Sequence, residues 1–167
     1  CFQIQPQLES MREKHLYLPD TNVLITRFLS DGGVAEVSNY MVVSEAGDAC
    51  EQALVRRAKC VHGEVRFKLF FQPRFNYARS PHEVEAECED VLRFTSQGED
   101  GLSLRLQAGV PLHINDGDGY AEFTLKAGEH LTFVMEEALP DTTSICGEST
   151  YATESFKKTC DFWRAWI

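Results

Sequence analysis

Residues 53–72 read ALVRRAKCVHGEVRFKLFFQ, and the alternation in this stretch decides the fold class. From position 65 to position 71 every second residue is apolar, which places one apolar row on one face of a strand. His62-Gly63 has the composition of a turn, because glycine reaches the positive φ angles that tight turns require. We therefore predict a hairpin with strands at residues 53–61 and 64–72, which Pro73 ends because proline cannot donate to a ladder.

The flanking segments carry the same signals. Residues 23–29 and 34–42 are rich in β-branched and aromatic side chains and surround Asp31-Gly32-Gly33, which predicts a second hairpin. Further strands are predicted at residues 83–88, 102–106, 120–125 and 130–136, the last two joined by Ala127-Gly128. About nine to eleven strands of ordinary length, with turns every ~8–12 residues, indicate an all-β sandwich or barrel.

The end of the chain has a different period. Phe156, Cys160, Trp163 and Ile167 follow one another at spacings of four, three and four, which is the period of one helical stripe. We predict a short amphipathic helix from residue 155 onward, with Thr153 as its cap. The chain is thus an all-β domain closed by a short C-terminal helical segment.

The charge of the chain limits the classes of partner that we expect it to bind. With 167 residues, 43% of them apolar, and a net charge of −10, the composition is that of one globular domain. Basic residues are not clustered beyond Arg56-Arg57, so neither nucleic acid nor an anionic membrane is expected as a partner. A neutral ligand such as a glucoside is compatible with this charge.

The cysteines and histidines indicate no metal centre. Six cysteines are scattered without a C-x-x-C pair, which suits reduced thiols in a cytoplasmic chain, although disulfides stay open. No two histidines have ligand spacing, and we expect neither a metal nor a cofactor. The run at residues 115–119, NDGDG, fails the EF-hand pattern, because Tyr120 and Ala121 occupy the fifth and sixth positions of such a loop. It predicts a tight turn instead.

Several catalytic motifs are absent from the sequence. It contains no G-x-S-x-G, H-E-x-x-H or phosphate-loop pattern. Acidic residues alternate along residues 83–89, where charged side chains usually face water rather than form a catalytic pair. The rings of Phe75, Tyr77 and Phe94 could line a sugar-binding surface or fill the core. The large apolar rings of Trp163 and Trp166 are expected to pack against the domain's own sheet or against a neighbouring domain.

Three stretches in register resemble a known family. They are YLPDTNVLITRF with DGGVAEV within residues 17–37, LVRR with VHGEV and PRFNYAR within residues 54–79, and TCDFWRAW at residues 159–166. Their order and spacing resemble the trehalase-like N-terminal domain of family 15 glycoside hydrolases, the glucoamylase and trehalase-like enzymes. The resemblance covers residues 17–167 but lacks the family's earlier Gly-Ser-Ile-Asp-Trp-like stretch, and Asn39 stands where the family often has Asp.

The resemblance implies an antiparallel β-supersandwich, two large packed sheets, at residues 1–154. It also implies a helical linker at residues 155–167 that leads toward an (α/α)6 barrel, which holds the family's catalytic glutamates and lies outside this chain. We therefore expect a non-catalytic accessory domain that packs on the barrel of the same polypeptide, with Phe162, Trp163 and Trp166 at the contact. The alternatives are a sugar-binding module using Phe75 and Tyr77 and, last, a small complete hydrolase; self-association stays open.

Overall fold

The computed structural model of the chain describes residues 1–43, 53–139 and 150–167. Within these ranges the chain forms eleven strands, one 3-10 turn at Phe75–Ala78 and one helix. The elements are β1 (Phe2–Pro6), β2 (Arg12–Tyr17), β3 (Leu24–Ser30), β4 (Gly33–Met41), β5 (Ala53–Phe71), β6 (His82–Cys88), β7 (Val91–Ser96), β8 (Ser103–Ala108), β9 (His113–Asn115), β10 (Asp118–Lys126), β11 (His130–Glu137) and α1 (Tyr151–Trp166).

The longest strand corrects the first prediction. Residues 53–61 and 64–72 do not form a hairpin, because β5 runs through His62-Gly63 as one strand of 19 residues. Gly63 has φ +78° and the register against β4 shifts between Val34 and Ala35, so the strand bends at a bulge instead of reversing. The two halves of β5 hydrogen-bond to different neighbouring strands, so neither half has to pair with the other.

Strand β5 belongs to two antiparallel sheets. Its first half lies between β4 and β11 in a large sheet with the order β2-β3-β4-β5-β11-β8-β7-β6. Its second half lies between β1 and β10 in a small sheet that β9 completes at one edge. Strands β10 and β11 lie end to end along β5, and Gly128 donates its amide to the Cys60 carbonyl (2.9 Å) where the chain crosses the bend.

The two sheets pack face to face, as expected for a sandwich. Rings from the small sheet meet rings from the large sheet in two places: Phe71 on Phe94, with centroids 5.0 Å apart, and Phe123 on Phe133, with centroids 5.3 Å apart. Gly119 permits this approach, since a Cβ there would lie 3.2 Å from the Phe94 ring. One buried cluster joins both inner faces and forms the main core.

The predicted turns of the remaining hairpins are confirmed. Strands β3 and β4 pair from Ser30 and Gly33 outward around Asp31-Gly32. Strands β9 and β10 pair around Asp116-Gly117, both with positive φ, so the NDGDG run forms the predicted tight turn. The other predicted strands correspond to β6, β8, β10 and β11, each of which has an antiparallel partner.

Helix α1 begins at Tyr151, earlier than predicted. Thr150 therefore occupies the N-cap without a side-chain hydrogen bond, and Thr153 lies inside the helix. The predicted stripe packs through Phe156 and Cys160, whereas Ile167 at its end is 81% exposed. No helix in the described part of the chain is long and apolar enough to cross a membrane.

Four cysteines fall within the described residues, and all four are free thiols. Cys60 and Cys160 are buried, and Cys1 and Cys88 are exposed. Burial raises the pKa of the Cys60 and Cys160 thiols, which keeps them in the neutral form. Cys50 and Cys146 lie outside the described residues.

The bend in β5 generates a prediction about stability. A Cβ on Gly63 would lie 3.0 Å from the Gly32 carbonyl oxygen, whereas a Cβ on Gly101, which also has positive φ, meets nothing within 4 Å. Both Gly63→Ala and Gly101→Ala are expected to cost about 1 kcal/mol for the left-handed backbone. Gly63→Ala should cost clearly more in denaturant unfolding, and equal losses would contradict a sterically closed bend.

Candidate functional site

Helix α1 is anchored on the outer face of the large sheet by Tyr40. The Tyr40 hydroxyl donates to the Ala152 carbonyl (3.1 Å) and lies 3.1 Å from the Ser155 hydroxyl. Its ring meets Phe156 edge-on with centroids 5.5 Å apart. Burial raises the pKa of Tyr40, and the Ser155 hydrogen bond and the Arg57 charge only partly oppose this, so the hydroxyl remains a donor.

A second, smaller core lies under the helix. The Val43 amide donates to the Thr159 hydroxyl (3.3 Å), and Thr159 itself is fully buried. The buried members of this cluster come from β4, β5, β11, α1 and the loop before β3: Val23, Tyr40, Ala53, Val55, Val134 and Cys160. The helix is therefore fixed to the sheet from its first turn as far as Cys160.

The last turns of α1, with Ile167 after them, carry a cluster of large apolar side chains, which we call the aromatic end: Phe162, Trp163, Trp166 and Ile167. Trp163 is half-buried and the other three side chains are exposed. Phe162 and Trp163 meet edge-on at 5.4 Å, and Trp163 and Trp166 meet edge-on at 5.5 Å. Trp166 is 73% exposed and Phe162 is 45% exposed. The structure thus brings the three predicted contact residues together, and the domain's own described residues leave most of this surface open.

The two predicted sugar-contact residues point in different directions. Phe75 is buried in the main core and packs edge-on against His82 at 5.6 Å, while Tyr77 is 93% exposed. Asn76, Tyr77 and Ala78 all have left-handed backbone angles, which cost L-residues about 1–2 kcal/mol each. Phe75 and Tyr77 therefore share a turn but not a surface, and only Tyr77 could meet a ligand.

An ion pair holds this turn against the start of β10. Arg74 donates two bonds to Asp118, at 2.8 Å and 3.2 Å, and Gln72 donates a third at 2.7 Å. The bonds from Arg74 lower the pKa of Asp118, a change that burial opposes and Gln72 assists. The His82 ring nitrogen lies 2.9 Å from the Gly117 carbonyl oxygen, which ties the start of β6 to the hairpin of β9 and β10.

Part of the acidic run in β6 is structural rather than solvated. Arg105, a buried side chain, donates to Glu87 (2.8 Å) and to Glu136 (3.1 Å), and Arg93 also pairs with Glu87. Burial alone raises the pKa of Glu87, but Arg105 and Arg93 outweigh it and leave the pKa below its ordinary value. Glu85, at 71% exposed, follows the prediction of a water-facing side chain.

The described residues contain no cluster of three or more histidine, cysteine or acidic side chains that could hold a metal. A cavity of about 950 Å³ lies beside the bend of β5 and is lined by residues between Gln7 and Gly32 and by Glu64. Its lining is mostly polar and includes Glu9, Arg12, Lys14, Asp31 and Glu64. None of the residues predicted to contact sugar or a neighbouring domain lines it.

Comparison with known proteins gives a likeness in fold. No family model matches the sequence, and no curated protein matches it. Among solved structures 11 chains match. One, described as "Putative kojibiose phosphorylase from human microbiome", aligns with 98% of this chain at a TM-score of 0.53 and 8% identity. The aligned part is 25% of that protein, so this chain spans about a quarter of its length.

The pairing of Glu87 generates a prediction about pH. A carboxyl whose pKa is lowered on folding adds stability above its unfolded pKa, and that stability is lost as the pH falls through the folded pKa. Glu87→Gln should cost on the order of 1 kcal/mol at neutral pH, a value discounted for partial exposure. The difference from wild type should shrink as the pH is lowered into the acid range.

Glu85→Gln is the matched control on the same strand, since Glu85 is exposed and lies 3.7 Å from Arg93. It should change the free energy of unfolding little at any pH. A Glu87→Gln difference that stays constant with pH would contradict the assigned ion pairs.

Proposed function

We propose that this chain is a non-catalytic accessory domain of a larger carbohydrate-active enzyme. In this proposal it docks through the aromatic end of α1 onto a catalytic domain of the same polypeptide. The observation that carries the proposal is the aromatic end itself, in which the exposed rings of Phe162 and Trp166 both contact the half-buried ring of Trp163 on a helix that is otherwise fixed to the sheet. Exposed apolar patches of this kind mark contact surfaces, and tryptophan is enriched at their centres.

The match in fold supports the enzyme context of this proposal. The similar protein is about four times as long as the matched part, and its description is that of a carbohydrate phosphorylase. The sequence resemblance to the N-terminal domain of family 15 glycoside hydrolases adds the finer proposal that the catalytic domain is an (α/α)6 barrel acting on α-glucosidic bonds. Such a protein would work in the cytoplasm, where the four free thiols stay reduced.

The paired acids support a role without catalysis. Glu87, Glu122 and Asp118 each hydrogen-bond to arginines, and those arginines lower the pKa of each carboxyl. A glycosidase acid needs the opposite change, because it must stay protonated to donate to the leaving group. The purified chain should therefore leave trehalose, maltose and kojibiose uncut, and measurable turnover would overturn the proposal.

Docking through the aromatic end predicts a change in tryptophan fluorescence. Trp163 and Trp166 are the chain's two tryptophans, so its emission reports on this surface alone. In the isolated chain the emission should be red-shifted and readily quenched by iodide. In a protein extended through the adjoining domain it should shift to the blue and resist quenching, because the rings lose contact with water.

Trp166→Ala in the extended protein should weaken docking by about 2 kcal/mol, the value of an interface hot spot. Tyr77→Ala is the matched control, since Tyr77 is even more exposed but lies outside the aromatic end. Equal iodide quenching in the isolated and extended proteins would overturn the docking surface.

A second candidate function, sugar binding, rests on Tyr77. Its ring is held almost fully exposed on a left-handed turn that the Arg74–Asp118 pair fixes, which is a rigid presentation suited to stacking on a sugar face. Calorimetric titration with trehalose and maltooligosaccharides tests it. Under this candidate Tyr77→Ala should abolish binding while Trp166→Ala leaves it unchanged, and an absence of heat with the wild-type chain would rule it out.

A further inference from the structure

Arg57 differs from the other arginines that are not exposed in its hydrogen bonding. Among the described residues four arginines are not exposed, and three of them, Arg56, Arg93 and Arg105, hydrogen-bond to oxygen acceptors. Arg57 has no hydrogen bond or ion pair within residues 1–43, 53–139 and 150–167, and its Nε is buried without a partner. A buried donor on a charged group is costly to leave unsatisfied, which makes Arg57 an exception among these four arginines. The side chain is half-buried and its terminal nitrogens are not among the buried atoms, so they are the donors that a ligand can reach.

The surroundings of Arg57 supply further donors. It lies at the centre of the large sheet, opposite Ser38 of β4 and Thr132 of β11 in register, on the face that also carries Tyr40 and α1. In an antiparallel ladder such directly opposed residues share a face with their Cβ atoms about 4.5–5.5 Å apart. The two hydroxyl residues therefore lie on either side of Arg57 in the sheet.

Two more basic groups lie one register step along the sheet. Lys59 and His130 oppose each other there, and both are exposed. Burial lowers the pKa of His130, and the charges of Arg57 and Lys59 lower it further. The three basic groups are therefore close enough to interact electrostatically. Glu36 opposes Lys59 from β4, but it is already paired with Arg27. In a chain with a net charge of −10, this is a locally positive surface.

We propose that Arg57, flanked by Ser38 and Thr132 and bordered by Lys59 and His130, binds a phosphate-type oxyanion. The donor set decides the ligand class. Guanidinium and ammonium groups only donate, and both hydroxyls can donate, so the ligand must offer several acceptor oxygens. A tetrahedral phosphate provides them and matches the arginine fork, whereas a sugar hydroxyl would leave the charge unpaired. This inference stands apart from the docking role proposed above.

Titration of the chain with inorganic phosphate at constant ionic strength tests the site. Isothermal calorimetry should show saturable binding, and Arg57→Gln should weaken it at least about tenfold, because the charge-assisted bonds are lost. Arg12→Gln is the matched control, since Arg12 is an exposed arginine and the variant makes the same change in net charge. It should alter affinity by less than about twofold, as expected for a distant screened charge.

A second arm distinguishes the two sources of the oxyanion. Glucose 1-phosphate binding more tightly than inorganic phosphate would assign a phosphate ester, and the reverse order would assign free phosphate. If Arg57→Gln does not fold, judged by circular dichroism, Arg57→Lys and Thr132→Val take its place and should each weaken binding several-fold. No saturable phosphate binding by the wild-type chain, or equal losses in the Arg57 and Arg12 variants, would overturn the proposal.

Discussion

Strand β5 hydrogen-bonds to β4 and β11 along its first half and to β1 and β10 along its second half. Both sheets therefore share one continuous backbone, and the bend at Gly63 sets the angle at which their inner faces meet. The ring contacts that close the core, Phe71 on Phe94 and Phe123 on Phe133, exist only because this strand changes sheet. The end-to-end placement of β10 and β11 is a further consequence of the same bend.

The outer face of the large sheet holds three arrangements of different physical character. Tyr40 and its apolar neighbours fix α1, and Arg105 bridges Glu87 and Glu136. Arg57 lies beside Ser38 and Thr132 without an acceptor among the described residues. The first two arrangements hold the helix and the neighbouring strands in place. Both proposals rest instead on what the aromatic end and Arg57 lack among the described residues: apolar cover in one case and acceptor oxygens in the other.

The acidic residues show how the chain uses its charge. Carboxylates that pair with arginines stabilise the contacts between neighbouring strands, as with Glu122 beside Arg66 and Lys68, while others such as Glu85 face water. This use of carboxylates stabilises their charged forms, which is the opposite of what a proton-donating acid requires. These paired carboxylates therefore have a structural role in the contacts between strands.

Local signals in the sequence were enough to determine the all-β class, most strands, the turns at Asp31-Gly32 and Asp116-Gly117, and the existence of the terminal helix. Side-chain period and turn chemistry act over a few residues, so they can be read without knowledge of the fold. The tertiary structure alone decided that His62-Gly63 is a bend, because a glycine permits either reversal or bending and only the available partner strands select one. It also decided that Phe75 lies inside while Tyr77 lies outside, that Glu87 is paired, and that Arg57 meets no acceptor in the part of the chain that the structure describes. Those outcomes depend on neighbours distant in sequence, whose position no local pattern encodes.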